Sequence, residues 1–228
     1  MASGPRSLPW RALIHFAIAA AATLLFAELA EEVIEGEYDA FDRAMALSIH
    51  RIATPVLDQV MIAVTNLGSG PILALVVLAT AVWSWRHGHR RTTLILISNA
   101  VVSQLVVFVL KVYVQRPRPT LFDVIARPES WSFPSGHSLS AMAIYGSIAA
   151  VIVTFRRRHR ALVVAAAAVL IAAIGFSRVY LGVHWPLDVL AGFAAGVPLV
   201  VATVHLLHTR AGPKGSRQVD PVNVYSRA

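Results

Sequence analysis

The sequence predicts an all-α polytopic membrane protein with six transmembrane helices and a short extracytoplasmic amphipathic helical segment. Three observations carry that prediction. Hydrophobic residues make up 57% of the 228 positions and charged residues only 14%, whereas a soluble domain carries about a quarter charged residues. Six apolar runs approach or reach the length of about 17–25 residues that a helix needs to cross a bilayer. The arginines gather in short clusters in alternate connections between those runs.

The first run covers 12–30. Arg6 and Arg11 precede it, as basic residues precede the apolar core of a signal peptide. The run is long, however, and Glu28 stands where a cleavage site would want small residues, so it reads as a span. The second run, 71–85, is short by itself, but 56–64 ahead of it is also apolar. Asn66-Leu67-Gly68-Ser69-Gly70-Pro71 between them is a strong turn signal, which makes the helix before it interfacial or re-entrant. The remaining runs are 92–114, 138–155, 161–176 and 186–207. Between the first and second, Glu31, Glu32, Glu35, Glu37 and Asp39 form an acidic connection. There, 40–52 reads as an amphipathic helix with Phe41, Ala44, Met45, Leu47 and Ile52 available to one side. The predicted organisation is a cytoplasmic N-terminus at 1–11, a six-span domain at 12–207 and a cytoplasmic tail at 208–228, which is rich in Gly, Pro, Ser and charge and expected to be disordered.

Arginine placement predicts orientation. Arg6 and Arg11, then Arg86, Arg90 and Arg91, then Arg156, Arg157, Arg158 and Arg160, then Arg210, Lys214 and Arg217 all fall on one side if there are six spans. The positive-inside rule makes that side the cytoplasm of a cell membrane. The acidic connection, the 115–134 loop and the turn around Val183 then face outward. The formal charge of +8 is thus a topological signal, with no nucleic-acid partner implied. The absence of cysteine excludes disulfides, thiolate metal sites and thiol nucleophiles.

Arg116, Arg118, Arg127 and Arg178 nevertheless fall on the outer side, and residues that break a topological preference have a local reason to be there. Lys111 sits near the end of the third run, and Pro117 and Pro119 force Arg116 and Arg118 into extended geometry. A lysine and a guanidinium converging there make an anion site; the plainer alternative is side chains snorkelling to the interface. Phe133-Pro134-Ser135-Gly136-His137-Ser138 opens the fourth run. Ser135 suits an N-cap, the helix start attracts phosphate, Gly136 permits close approach, and His137 can give a proton to a leaving oxygen; the alternative is a capping turn with an interfacial histidine. In the third cluster Pro186 starts the sixth run, and Asp188 lies four residues after His184. A carboxylate on one imidazole nitrogen leaves the other free to attack, and Arg178 adds an anion donor; the alternative is a structural Asp–His pair closing a helix. Together the clusters describe a phosphomonoester or diphosphate site with two histidines and no metal.

These clusters resemble the type 2 phosphatidic acid phosphatase (PAP2) superfamily, which includes bacterial undecaprenyl-diphosphate and phosphatidylglycerophosphate phosphatases. The family pattern is Lys-x6-Arg-Pro, Pro-Ser-Gly-His and Ser-Arg-x5-His-x3-Asp. Lys111…Arg118-Pro119, Pro134-Ser135-Gly136-His137 and Ser177-Arg178…His184…Asp188 match it in order and spacing. Only Arg118 satisfies the six-residue gap, which leaves Arg116 as a neighbour. The resemblance implies that Lys111, Arg118, Ser135, Gly136 and Arg178 hold phosphate, that His184 attacks phosphorus, that Asp188 orients His184, and that His137 protonates the leaving group and then activates water. It implies neither metal nor cofactor and no obligate protein partner beyond bilayer and substrate. Short loops suggest a small bacterial member, with undecaprenyl diphosphate favoured over phosphatidylglycerophosphate or phosphatidic acid. A vanadium haloperoxidase shares the anion pocket but is large and soluble, and a lipid binder or flippase would not need both histidines with Asp188. Asn99, Ser103 and Gln104 are expected to bond neighbouring helices. Trp131 and Tyr180 are expected to meet a lipid head group or to anchor the interface.

Overall fold

Prolines and hydroxyl residues set where several helices begin. In the computed structural model, which describes residues 10–37, 39–122 and 128–209, these residues lie in eight α-helices. They are α1 (Trp10–Glu35), α2 (Asp39–His50), α3 (Pro55–Asn66), α4 (Gly70–Arg86), α5 (Arg90–Val114), α6 (Gly136–Phe155), α7 (Arg160–Tyr180) and α8 (Pro186–His208), with a 3-10 turn at Arg157–His159. Thr54 caps α3 by accepting from the Leu57 amide, just ahead of Pro55. Ser135 caps α6 in the same way. Pro71 and Pro186 stand in the first turns of α4 and α8, where a missing N–H costs nothing. No strand occurs among the described residues.

Five helices, namely α1 from Ala12 onward and α5 to α8, are long and apolar enough to cross a membrane. The sixth candidate crossing is a bent helix pair rather than a simple span over 71–85. It combines α3 and α4, which pass the same test together but are bent by 47° at their junction. The turn signal at 66–71 is this break. The fifth crossing also runs a turn past 176, so Arg178 lies on α7 rather than in a loop.

The chain is patterned inside out, as lipid solvent requires. Leu75, Leu78, Val101, Leu105, Phe108 and Val169 point outward and are exposed. Small and hydroxyl residues occupy the centre, where α6 packs against α4, α5, α7 and α8. On α8, Gly192 and Gly196 form a G-x-x-x-G face against α6. A Cβ on Gly192 would stand 2.8 Å from the Ser135 carbonyl oxygen, and one on Gly196 would stand 3.0 Å from that of Leu139. Such spacing lets two backbones approach where side chains would hold them apart. Asn99 Nδ2 lies 2.9 Å from Ser147 Oγ and 3.0 Å from Thr203 Oγ1, and Gln104 donates to Ser140 Oγ at 2.9 Å, tying α5 to α6 and α8 as expected. Ser103 differs: its hydroxyl donates within α5, to the Ala100 carbonyl at 2.8 Å.

The 40–52 segment is helical, as α2. Three of its large apolar residues are turned outward, with Phe41, Met45 and Leu47 about 40% exposed (42, 39 and 40%), while Ile49 packs inward beside Ala46. Ala46 and Asp42 face inward, and Ala46 packs on Val179 and Val189. A buried carboxylate was not anticipated there.

The bundle has two distinct ends. At one, the rings of His15 (α1) and His205 (α8) are 5.8 Å apart, Arg91 donates to Thr209 Oγ1 at 3.0 Å, and the His89 and Phe155 rings are 4.5 Å apart. The connections carrying Arg86, Arg90, Arg91, Arg156, Arg158 and Arg160 therefore gather together. Arg6, Arg127, Arg210, Lys214, Arg217 and the tail from 210 lie outside the described residues, as do the side chains of Arg11 and Arg157. At the other end meet α2, the last turns of α5 and α7, and the first turns of α6 and α8.

Gly192→Ala forces a Cβ into the α6 backbone, an overpacking that costs about 1–3 kcal/mol. The thermal midpoint of the detergent-solubilised protein should fall by about 2–12 °C. Gly70→Ala, where a Cβ meets nothing within 4 Å, should leave it unchanged. Equal midpoints for the two variants would disprove the close helix approach.

Candidate active site

Where α7 ends, Gly182 takes a left-handed conformation (φ +68°) and the chain reverses. The amides of Val183 and His184 both return to the Arg178 carbonyl, at 3.2 and 3.3 Å. Pro186 then starts α8. His184 is thereby fixed in a tight turn between two crossings, 2% exposed. Asp188, in the first turn of α8, accepts from the Trp185 amide at 3.0 Å and lies 3.3 Å from His184 Nδ1 through the same Oδ2. The other ring nitrogen, Nε2, is 3.1 Å from Arg118 Nη1. Burial pushes the His184 imidazole down to about 3, against the pull of Asp188 and with the help of Arg178 and Arg118. The ring is therefore neutral at physiological pH, and a hydrogen on Nδ1 facing Asp188 leaves the Nε2 lone pair to accept from Arg118.

Helix α5 ends at Val114, with Gln115 left-handed and the prolines extending the chain beyond it. This segment pairs with the next part of the loop, since Ser132 N donates to the Arg116 carbonyl at 2.8 Å. Arg118 donates to the Ser130 carbonyl (2.7 Å), the Val183 carbonyl (2.5 Å) and the Trp131 carbonyl (3.3 Å). Lys111 Nζ donates to that same Trp131 carbonyl, so the lysine and the guanidinium converge.

At the start of α6, Ser135 N donates to the Asp188 carbonyl at 2.9 Å, and Ser135 Oγ accepts from the Ser138 hydroxyl at 2.9 Å. Gly136 faces Val107 and Lys111, its notional Cβ lying 3.1 and 4.0 Å from their side chains. His137 rests on the break between α3 and α4: a Cβ on Gly68 would lie 3.1 Å from its ring. Arg178 donates to Thr65 Oγ1 on α3 at 2.7 Å, while its Nε is buried without a hydrogen-bond partner among the described residues. All eight residues singled out from the sequence therefore stand at one end of the bundle.

Several participants lie outside the matched motif positions. Arg116, 7% exposed, donates to Asp188 Oδ1 at 2.8 Å and to Asp42 Oδ2 at 2.7 Å, with the exposed Asp39 at 3.3 Å. Burial alone would lower its pKa, but Asp188 and Asp42 outweigh burial and hold it above the ordinary arginine value. Ser132 donates to Asp188 Oδ2. Thr65 holds Arg178. The repeated Arg-Pro at 116–119 was the signal for Arg116, whereas a serine and a threonine in ordinary surroundings carry none. Tyr180 is a correction: it is 2% exposed and donates to Asp58 at 2.7 Å, joining α7 to α3 rather than facing lipid. Trp131 is 44% exposed. Among the described residues, no group of three or more His, Asp or Glu side chains is placed to hold a metal ion.

Known proteins resemble this chain in both sequence and fold. The family model described as "PAP2 superfamily" matches residues 91–211, more than half of the chain. Phosphatidylglycerophosphatase B of Bacillus subtilis (strain 168) is 33% identical over 181 residues, which cover 77% of this chain and 88% of that protein. Undecaprenyl-diphosphatase BcrC of the same organism is 27% identical, over 70% of this chain and 78% of its own length. The crystal structure of a transmembrane PAP2-type phosphatidylglycerolphosphate phosphatase from Bacillus subtilis superposes with a TM-score of 0.77 at 31% identity, covering 81% of this chain and 93% of that one. Family match, relatives and fold agree that the chain belongs to the PAP2 superfamily and is a membrane lipid phosphatase.

Proposed function

We propose that this phosphatase works through a phosphohistidine at His184, and that it meets its substrate at the extracytoplasmic membrane surface. The carrying observation is the division of the imidazole between Asp188 at Nδ1 and Arg118 at Nε2. A phosphate bound beside Arg118 takes up donors that otherwise reach main-chain carbonyls, from Lys111 and Arg118, together with the Nε of Arg178. Ser135 and the Gly136 amide add the field of the α6 N-terminus. Nε2 attacks phosphorus in line and the bond to the lipid oxygen breaks. His137 delivers a proton to that oxygen, and Asp188 balances the charge gained by His184. Water then gives its proton to His137 and attacks phosphorus, the P–N bond breaks, and inorganic phosphate leaves. Phosphoryl transfer of this kind needs positioning and charge more than covalent help from the protein.

Two substrates compete. Undecaprenyl diphosphate is the choice from sequence, and phosphatidylglycerophosphate is what a relative matched over most of its length is named for. A side-by-side assay of the two, with phosphatidic acid as the third, ranks them. The arginine-bearing end of the bundle argues for a cytoplasmic location of that end, and the site lies at the opposite end.

In buffer containing EDTA, His184→Ala should lose at least about 10³-fold in kcat, and an acid-labile ³²P label should appear on the wild type but not on the variant. Hydrolysis at the wild-type rate would remove the phosphohistidine. Thr65→Val leaves Arg178 without its hydroxyl partner, so kcat/KM should fall about tenfold, as for lost second-layer partners elsewhere; an unchanged value would separate Thr65 from phosphate binding. A cysteine in place of exposed Glu129 should react with a membrane-impermeant maleimide added to intact cells. Labelling only after lysis would reverse the orientation.

A further inference from the structure

Asp188 has two carboxylate oxygens, and they do different things. Oδ2 receives the Trp185 amide, the Ser132 hydroxyl and the His184 ring. Oδ1 receives Arg116. Carboxylate torsions are broad and roughly two-fold, so donors on one oxygen alone leave the plane free to rock. Arg116 fixes the second oxygen, and Arg116 is itself held by a fork. Its other terminal nitrogen meets Asp42 Oδ2, and Asp42 Oδ1 accepts from the Leu187 amide at 2.9 Å. Leu187 adjoins Asp188 in the chain. The contacts therefore close a ring: Asp188, Arg116, Asp42, Leu187 and back through one peptide to Asp188. Asp42 and Asp188 are fully buried and Arg116 nearly so. Both oxygens of Asp42 and both terminal nitrogens of Arg116 are used, so each member has one orientation. Neither residue belongs to the three motifs.

We propose that Arg116 and Asp42 are positioning residues for the phosphoryl-transfer reaction, acting through Asp188 to set the plane and basicity of the His184 imidazole. This rests on His184 as the nucleophile. The charged and titratable groups around His184 are Asp188 of α8, Arg116 and Arg118 of the segment after α5, Arg178 of α7, Lys111 of α5, His137 of α6 and, one layer out, Asp42 of α2 with the exposed Asp39 beside it. Arg116 neutralises part of the Asp188 charge that His184 feels, and Asp42 offsets part of Arg116. Removing each should therefore act on the imidazole with opposite sign. Loss of the Arg116 cation favours imidazolium, and loss of the Asp42 anion disfavours it.

The test uses the purified full chain in detergent, as wild type, Arg116→Gln, Arg116→Lys and Asp42→Asn, assayed on whichever of phosphatidylglycerophosphate and undecaprenyl diphosphate the wild type hydrolyses faster. Asn at 42 keeps an acceptor for the Leu187 amide while removing the charge, and Lys at 116 keeps the charge while losing the fork. A displacement of the nucleophile by a fraction of an ångström is expected to lower kcat by about 100-fold in Arg116→Gln and about tenfold in Asp42→Asn, with KM within about threefold of wild type. The acidic limb of kcat against pH should move up by about half to one unit in Arg116→Gln, and down by about as much in Asp42→Asn. Arg116→Lys should keep the wild-type limb with a reduced kcat. If kcat in Asp42→Asn and Arg116→Lys stays within about twofold of wild type, or if the limb moves the same way or not at all when the charge is removed, the two residues are structural supports only and the proposal fails. If Arg116→Gln does not fold, the other two variants decide. Wild-type hydrolysis without a ³²P-labelled histidine would instead refute the nucleophile, a result distinct from either.

Discussion

Asp188 is a full negative charge with no access to water, placed just inside a membrane-crossing helix, and the active end of the molecule is organised around satisfying it. A buried carboxylate is tolerated only when donors surround it. Here they come from three stretches of chain: the turn before α8, Arg116 just after α5 and the serine ahead of α6, while the short helix α2 holds Arg116 through Asp42. Each donor is also a constraint. The same contacts that make the charge tolerable fix where the loop 130–132 lies, how α2 docks and which way the His184 ring faces. Structural cost and catalytic geometry are resolved by one set of hydrogen bonds.

The rest of the bundle supplies what such a centre needs, which is helices held in register with no hydrophobic force between them. Lipid is as apolar as leucine, so the crossings hold together by close packing and by polar contacts. The glycine face of α8 brings its backbone against the start of α6, the helix that carries His137. Asn99 and Gln104 tie α5, which carries Lys111, to α6 and α8. Elements that deliver the motif side chains to one end are thus fastened along their lengths, some turns away from that end.

The crossings were legible in the sequence because an apolar run of membrane length is poorly solvated anywhere but in lipid. The motif residues were legible because their spacing places cations and imidazoles on helix ends. What stayed hidden has physical reasons. Asp42 reads as the polar side of an amphipathic helix, and such a side is ordinarily solvated; only the fold shows it buried under Arg116. Thr65 lies on a short apolar helix that pattern alone could not orient, and its partner is more than a hundred positions away. Ser103 illustrates the converse. A hydroxyl inside a membrane helix suggests a neighbour, yet the carbonyl three residues back within its own helix was the nearer acceptor. Spacing also separated Arg118 from Arg116, but it could not say that the second guanidinium turns toward carboxylates.

The break between α3 and α4 has a mechanical consequence. Most walls of a pocket are side chains, which hop between rotamers in picoseconds to nanoseconds where they are exposed. The surface under the His137 ring is instead main chain at Gly68, with Ile174 packed on the same side of it and the adjacent Leu67 carbonyl held by the Tyr145 hydroxyl at 2.7 Å. Backbone has no rotamer to change. The ring to which the proposed mechanism gives both proton transfers therefore leans on a stiff seat, and its freedom is surrendered during folding rather than at each turnover. A bent helix pair with a glycine at its break supplies here the rigidity that a continuous helix with side chains on every position would lack.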